Sequence, residues 1–404
     1  MDRLHSNSTA NFDFRFSPGK VLHSLIFFTI LFPFVPALIP STDTQPTFLL
    51  LFLCSIFYLI VKVQYQKNYY HLSYGKLGML FSLLGLIFFS VLVARLHIDQ
   101  PTLWARIISM LQFSFALFFA YTTTYFLKDK HLKTTIIIFA VFSIVFFLTQ
   151  GMLERILMPG RTDSFEVLQK SGRGARTLSP EPSFFALHIL NLYIIYCFVA
   201  TTEFKKRNGA IVFWLVSFCL MISFSGYGFV IFLILLALRY TKTAMIFTLL
   251  LLVASGFMVS YLESFQSFRG FRLLAIVLAN DPSVLLQDAS FSSRFGSFFV
   301  YLQNIRDNFI LGDGFTLLQG GGFVSIVSSL GILAACFLIF VIREILILKG
   351  SNWKIKFLLI FWFLINLFSG PIGVPTLGVI IGLTIRRNHA PKHLQLALNE
   401  RRTA

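Results

Sequence analysis

Five basic residues crowd one short hydrophilic stretch: Arg155, Arg161, Lys170, Arg173 and Arg176 all fall within residues 153–182. A guanidinium presents a planar fork of N–H donors that matches phosphate oxygens two at a time, so arginines gathered in this way suit capture of an anionic group. Gly172 and Gly174 stand among them, where the missing side chain lets backbone approach a ligand. The stretch closes on Ser179-Pro180-Glu181-Pro182-Ser183. Pro182 suits the first turn of a following helix, which would hold Glu181 at that helix's amino end. A carboxylate there is either a favourable partner of the helix dipole or a group that orients or deprotonates a hydroxyl.

A second hydrophilic stretch, residues 263–321, carries Arg269, Arg272, Arg294 and Arg306. Phe295, Phe298, Phe299, Leu302, Ile305 and Phe309 recur at helical spacing, which predicts an amphipathic helix lying at an interface. Ser292 or Ser293 would cap it and leave Arg294 in the first turn, where unpaired backbone amides and a guanidinium together favour phosphate. Arg306 follows three turns later beside Asp307, and a local surface ion pair is its plain alternative. For Arg269 and Arg272 that alternative is headgroup contact. The Gly312-Asp313-Gly314 and Gly320-Gly321-Gly322 clusters punctuate the end of the stretch, and without a lysine-serine signature they are weak as a phosphate loop.

The rest of the chain must position these two islands, and it is apolar. Of 404 residues, 56% are hydrophobic and 13% charged, which excludes an ordinary soluble chain and implies a polytopic membrane protein. Twelve apolar segments mark expected spans: 21–39, 47–63, 77–94, 107–127, 134–152, 183–200, 210–224, 227–238, 243–262, 322–342, 357–368 and 372–385. The first reads as an uncleaved span, since no small-x-small cleavage site follows it. Residues 210–238 and 357–385 are short for two crossings each, but breaks at 223–228 and 369–375 divide them.

Charge supports that division. With both termini cytoplasmic and about twelve transmembrane helices, cytoplasmic segments hold 23 of 34 basic and 6 of 17 acidic residues, while outward segments hold 11 of each. The expected fold is therefore all-α, one polytopic membrane domain over 1–404, with large periplasmic loops at 153–182 and 263–321. Four arginines in the first of these run against the inside-positive bias. The basic excess is split among short loops, which suits orientation and contact with anionic membrane lipids and offers nucleic acid no groove.

Within the spans ionisable groups are sparse. His188 is the clearest, and beside Phe184, Phe185 and Leu187 it reads as an interior group rather than a proton relay. Cys54, Cys197, Cys219 and Cys336 lie in apolar runs without metal-ligand spacing, so no metal is expected and no cofactor is implied. From these residues alone the function expected is handling of a lipid-linked phosphate or pyrophosphate at the outer face.

The run Ser171-Gly172-Arg173-Gly174-Ala175-Arg176 leading to Ser179-Pro180-Glu181-Pro182-Ser183, with Ser223-Phe224-Ser225-Gly226 and Ser293-Arg294-Phe295, resembles the bacterial O-antigen polymerases of the Wzy type and, more distantly, the O-antigen ligases. That resemblance implies an inner-membrane glycosyltransferase of lipopolysaccharide biosynthesis. It would move a glycan from undecaprenyl pyrophosphate onto a new lipid-linked repeat unit in the periplasm. The functional arginines it implies map best to Arg173, Arg176 and Arg294, with Arg306 after them; the catalytic candidates are then Arg176, Arg294 and Glu181, the last to orient or deprotonate the acceptor hydroxyl, and the substrate-binding candidates are Arg161, Arg173 and Arg306. The implied partners are the lipid-linked donor and acceptor and a polysaccharide chain-length regulator. Residues 263–321 contain no histidine, which favours polymerase over ligase. An exporter or flippase of lipid-linked oligosaccharide is the alternative from another class; it would need basic groups within its spans.

Overall fold

The computed structural model describes residues 32–33, 53, 129–149, 152–157, 181–199, 207–223, 225–240, 246, 289–313, 322–348, 353–368 and 375–389. Among the described residues every regular element is a helix: α1 (Asp129–Leu148), α2 (Met152–Leu157), α3 (Pro182–Val199), α4 (Arg207–Ile222), α5 (Gly226–Arg239), α6 (Ala289–Asp307), α7 (Gly322–Leu330), α8 (Ile332–Leu346), α9 (Trp353–Phe368) and α10 (Pro375–His389). Among them no helix is long and apolar enough to cross a membrane. The expected spans 21–39, 47–63, 77–94, 107–127 and 243–262 lie outside the described residues, apart from isolated positions.

α3 sits at the centre. Its side chains from Phe185 to Phe198 are buried on all sides, as befits a helix with apolar residues around its whole circumference. It packs against α1, α4, α5, α9 and α10. Three polar side chains tie it to two neighbours. Asn191 Nδ2 donates to Thr376 Oγ1 of α10 at 2.9 Å, and Trp362 Nε1 of α9 donates to Asn191 Oδ1 at 2.7 Å.

The break between α4 and α5 follows from its serines. Ser223 Oγ donates to the Leu220 carbonyl at 2.6 Å at the end of α4, and Ser225 caps α5 by accepting from the Gly228 N–H at 2.9 Å. Gly228 lies where this turn closes on itself: a Cβ there would sit 2.7 Å from the Leu220 carbonyl oxygen and collide with Ser223 Oγ. Gly228→Ala is therefore expected to cost about 1–3 kcal/mol through overpacking. The check is the apparent melting temperature of the detergent-purified variant, and an unchanged midpoint would contradict the close approach.

One expected span is divided. Residues 322–342 form not one helix but two, α7 and α8, separated at Gly331, whose φ of 64° is in the left-handed region that glycine tolerates. The exposed apolar residues also follow a pattern. Ile211, Trp214, Phe218 and Met221 form a stripe along α4, and Trp353, Phe357, Ile360 and Leu364 form another along α9. Steps of three and four put each set on one helical face, directed away from the core.

Candidate functional site

Pro182 opens α3 and has no N–H for the missing turn to leave unsatisfied. Glu181 stands immediately before it, as the Pro-Glu-Pro pattern implies, and its carbonyl accepts the Phe185 N–H at 3.0 Å. The carboxylate is half-buried, and Ser183 Oγ donates to Oε2 at 3.2 Å. A carboxylate held at a helix amino end by a neighbouring hydroxyl is oriented, which is what a hydroxyl-orienting group requires.

The amphipathic element of the second stretch is α6. It starts at Ala289, three residues ahead of the expected serine caps. Ser292 and Ser293 thus lie inside the helix, and Arg294 falls in its second turn rather than its first. The argument from unpaired amides does not apply to it there, because those donors belong to the first turn. At the other end Phe309 falls beyond the helix, in a turn that runs to Asp313.

Arg306 has an exposed side chain, and its Nε donates to Asp307 Oδ1 at 3.2 Å. Arg306 follows Arg294 by twelve residues, so their backbone positions stand about 18 Å apart along α6. Arg161, Arg173 and Arg176 lie outside the described residues.

Several polar groups escape a search for charge in apolar runs. Asn191, Thr376 and Asn366 are buried amides and a hydroxyl, and Asn366 Nδ2 donates to the Trp362 carbonyl at 2.8 Å. Glu344 is the larger surprise. Its position among basic residues suggests a solvated loop, yet it is 1% exposed. Asn388 Nδ2 donates to its Oε2 at 2.8 Å, and His389 Nε2 lies 3.1 Å from both carboxylate oxygens. His188 is also buried, edge-on to Phe139 at 5.2 Å between centroids, which fits an interior ring.

The cations gather at the end of α3 opposite to Glu181. Arg387 lies over Phe198 at 5.7 Å, and Arg239 lies over Phe213 and Tyr240 at 5.3 and 5.4 Å. Lys354 Nζ donates to the Leu238 carbonyl. Seventeen residues of helix put this end about 25 Å from Glu181. No group of three or more His, Cys, Asp or Glu suited to a metal ion occurs among the described residues. Comparison with protein-family models, with curated proteins and with solved structures found no match to this chain.

Proposed function

We propose that this chain is a multi-pass protein of a bacterial inner membrane. It polymerises oligosaccharide repeat units carried on undecaprenyl pyrophosphate, by glycosyl transfer at the periplasmic face. The observation that carries this reading is the setting of Glu181, an oriented carboxylate at the amino end of the central helix, directly after an arginine-rich stretch. The outward apolar stripes of α4 and α9 support a lipid environment, since Trp and Phe at such spacing on an exterior face fit hydrocarbon better than water. The cation cluster about 25 Å away suits the cytoplasmic end.

In the proposed reaction an acceptor sugar hydroxyl attacks the anomeric carbon of the donor glycan. A new C–O bond forms as the bond to the carrier pyrophosphate breaks. The hydroxyl proton passes to the Glu181 carboxylate, and the pyrophosphate departs with its electron pair still attached to undecaprenol. Arg176 and Arg294 meet the charge that grows on the leaving oxygen, with Arg161 and Arg173 holding the diphosphate. The engagement of Arg306 with Asp307 leaves it a lesser part. An exporter is disfavoured, because among the described residues the basic side chains sit near helix ends and α3 is joined to α9 and α10 by Asn191, Trp362 and Thr376.

The test is the surface polysaccharide of a deletion strain carrying Arg176→Ala or Arg294→Ala. Polymerase loss leaves single repeat units on the lipid core, ligase loss removes attached repeats altogether, and exporter loss strands them on the cytoplasmic carrier. Single repeats are the expected outcome for both variants, with lysine restoring little because it lacks the planar fork. A full-length ladder from both would remove the proposed arginine site.

A further inference from the structure

Three apolar side chains in a row stand exposed just past the end of α6: Phe309 at 46%, Ile310 at 71% and Leu311 at 57%. Single exposed apolar residues are ordinary, whereas a contiguous set marks a surface that meets something other than water. A polar shoulder precedes them, because Arg306, Asp307 and Asn308 are exposed as well. The turn that carries them is held firmly. The Gly312 N–H donates to the Asn308 carbonyl at 2.8 Å and closes it, and the Asp313 N–H donates to the Ser328 carbonyl at 3.0 Å. One turn earlier Asn304 Nδ2 donates to Ser328 Oγ at 2.7 Å. Gly331, at a φ of 64°, lets the turn close on the break between α7 and α8, since a Cβ there would lie 2.5 Å from the Ile310 carbonyl oxygen.

Counting along the helices gives the level of this tip. α8 and α9 are packed neighbours running in opposite directions, and where one ends and the other begins Lys356 Nζ donates to the Leu346 carbonyl at 3.2 Å. Fifteen residues of α8 separate Leu346 from Gly331, about 22 Å. On α9 six residues lead from Lys356 to Trp362, about 9 Å, where the indole donates to Asn191 of α3 at 2.7 Å. α3 runs opposite to α9, since Lys354 meets Leu238, whose neighbour Arg239 lies beside Tyr193 and Cys197 towards the far end of α3. Ten residues back along α3 from Asn191 therefore add about 15 Å in the same direction and reach Glu181. Gly331 and Glu181 thus stand about 22 and 24 Å from the level of Lys356, which puts the tip and the candidate carboxylate at one height.

Exposed apolar surface continues from the tip down α8. Ile332, Cys336, Ile339, Ile342 and Leu346 follow at steps of three and four, all exposed and on one helical face. A surface of that length and character fits hydrocarbon. We propose that the turn Phe309–Leu311 is a wedge seated among the upper acyl chains of the outer leaflet, with the shoulder of Arg306, Asp307 and Asn308 at the level of the lipid headgroups. Interfacial segments of this polarity sink about 5–10 Å into the boundary between headgroups and chains, a depth that a three-residue tip below a charged shoulder spans. Seated there, the wedge holds the close of the second hydrophilic stretch at the height of Glu181. The wedge rests on the bilayer placement proposed above and not on polymerisation.

The experiment uses the full chain in phospholipid vesicles, with a fluorescent label at Ile310→Cys after exposed Cys336, and Cys54, are changed to serine; Cys197 and Cys219 are buried and stay. Quenching is compared among lipids spin-labelled on the headgroup, near the carbonyl end of the acyl chain or near its methyl end, and a nickel chelate dissolved in the water. The expected result at 310 is strongest quenching from the spin near the carbonyl end, at least about twice that from the chelate. A second label at Leu364→Cys, exposed on α9 and close to the level of Trp362, should be quenched most from the methyl end. Leu311→Cys replaces Ile310→Cys if that variant does not insert. Strongest quenching at 310 from the headgroup spin or the chelate, with 364 in hydrocarbon, would overturn the wedge alone. Protection at 310 from every quencher would overturn it too, because the tip would then be covered by protein, a second copy or another segment of this chain. Quenching by the chelate at both sites would overturn the bilayer placement together with the wedge.

Discussion

Glu181→Gln is expected to abolish chain extension while leaving the protein inserted and nearly as stable as its parent. Glutamine keeps the shape and an oxygen that can accept from Ser183 Oγ, so the local bond at 3.2 Å has a substitute. What it removes is the ability to take a proton from the attacking hydroxyl. General-base catalysis contributes about 10²–10⁴-fold, and a loss of that size would leave only single repeats in a gel of surface polysaccharide. If the carboxylate served merely as a partner of the α3 dipole, the same substitution would cost about 0.3–1 kcal/mol of stability and spare extension. The two roles thus separate on one variant read two ways, by initial rate with defined lipid-linked repeats and by thermal midpoint. A normal rate with a lowered midpoint would reduce Glu181 to a structural group. Aspartate adds a further discriminant, since it retains the proton acceptor but draws it back by one methylene. Partial activity would show that position as well as basicity matters.

Helix placement was legible where local chemistry decides it. Pro182 and the carboxylate before it fix the start of α3, and Ser223 and Ser225 close and open the α4/α5 turn by their own hydroxyls. The break at Gly331 was not legible, because a lone glycine within an apolar run is commonly tolerated in a helix. What makes it a break is the turn of Phe309 to Gly312 packed against it from about twenty residues upstream. Glu344 escaped for a similar reason. Its neighbours in sequence, Arg343 and Lys349, suggest solvent, whereas its partners Asn388 and His389 lie on α10 and arrive only through tertiary packing. The candidate site divides in the same way: the order of residues shows that an arginine-rich stretch precedes Glu181, but the distance between Arg294 and that carboxylate depends on how α6 is carried.

Trp362→Ala is expected to be the most destabilising single change in the described bundle, at about 3–5 kcal/mol. Its indole is fully buried between α7 and α3, and the substitution both opens a cavity beside Phe323 and strips Asn191 Oδ1 of its donor. Trp362→Phe shrinks the cavity contribution, because it keeps an aromatic ring while it loses the N–H and the remainder of the indole. A lost neutral hydrogen bond costs about 0.5–1.5 kcal/mol in water-soluble proteins, and about 0.6 on average between membrane helices, where the freed group finds other partners. Asn191 has little such freedom, since its Nδ2 is already committed to Thr376 and α3 is enclosed on every side. The hydrogen-bond part of the cost of Trp362→Phe should therefore lie near the top of that range, with the lost ring volume added to it. A double-mutant cycle with Asn191→Leu, read by reversible unfolding in mixed micelles, measures the coupling directly. Coupling of about 1 kcal/mol or more is expected. Additive losses would mean that the indole and the amide do not meet, and α3 would then have to be held at the centre by apolar packing alone.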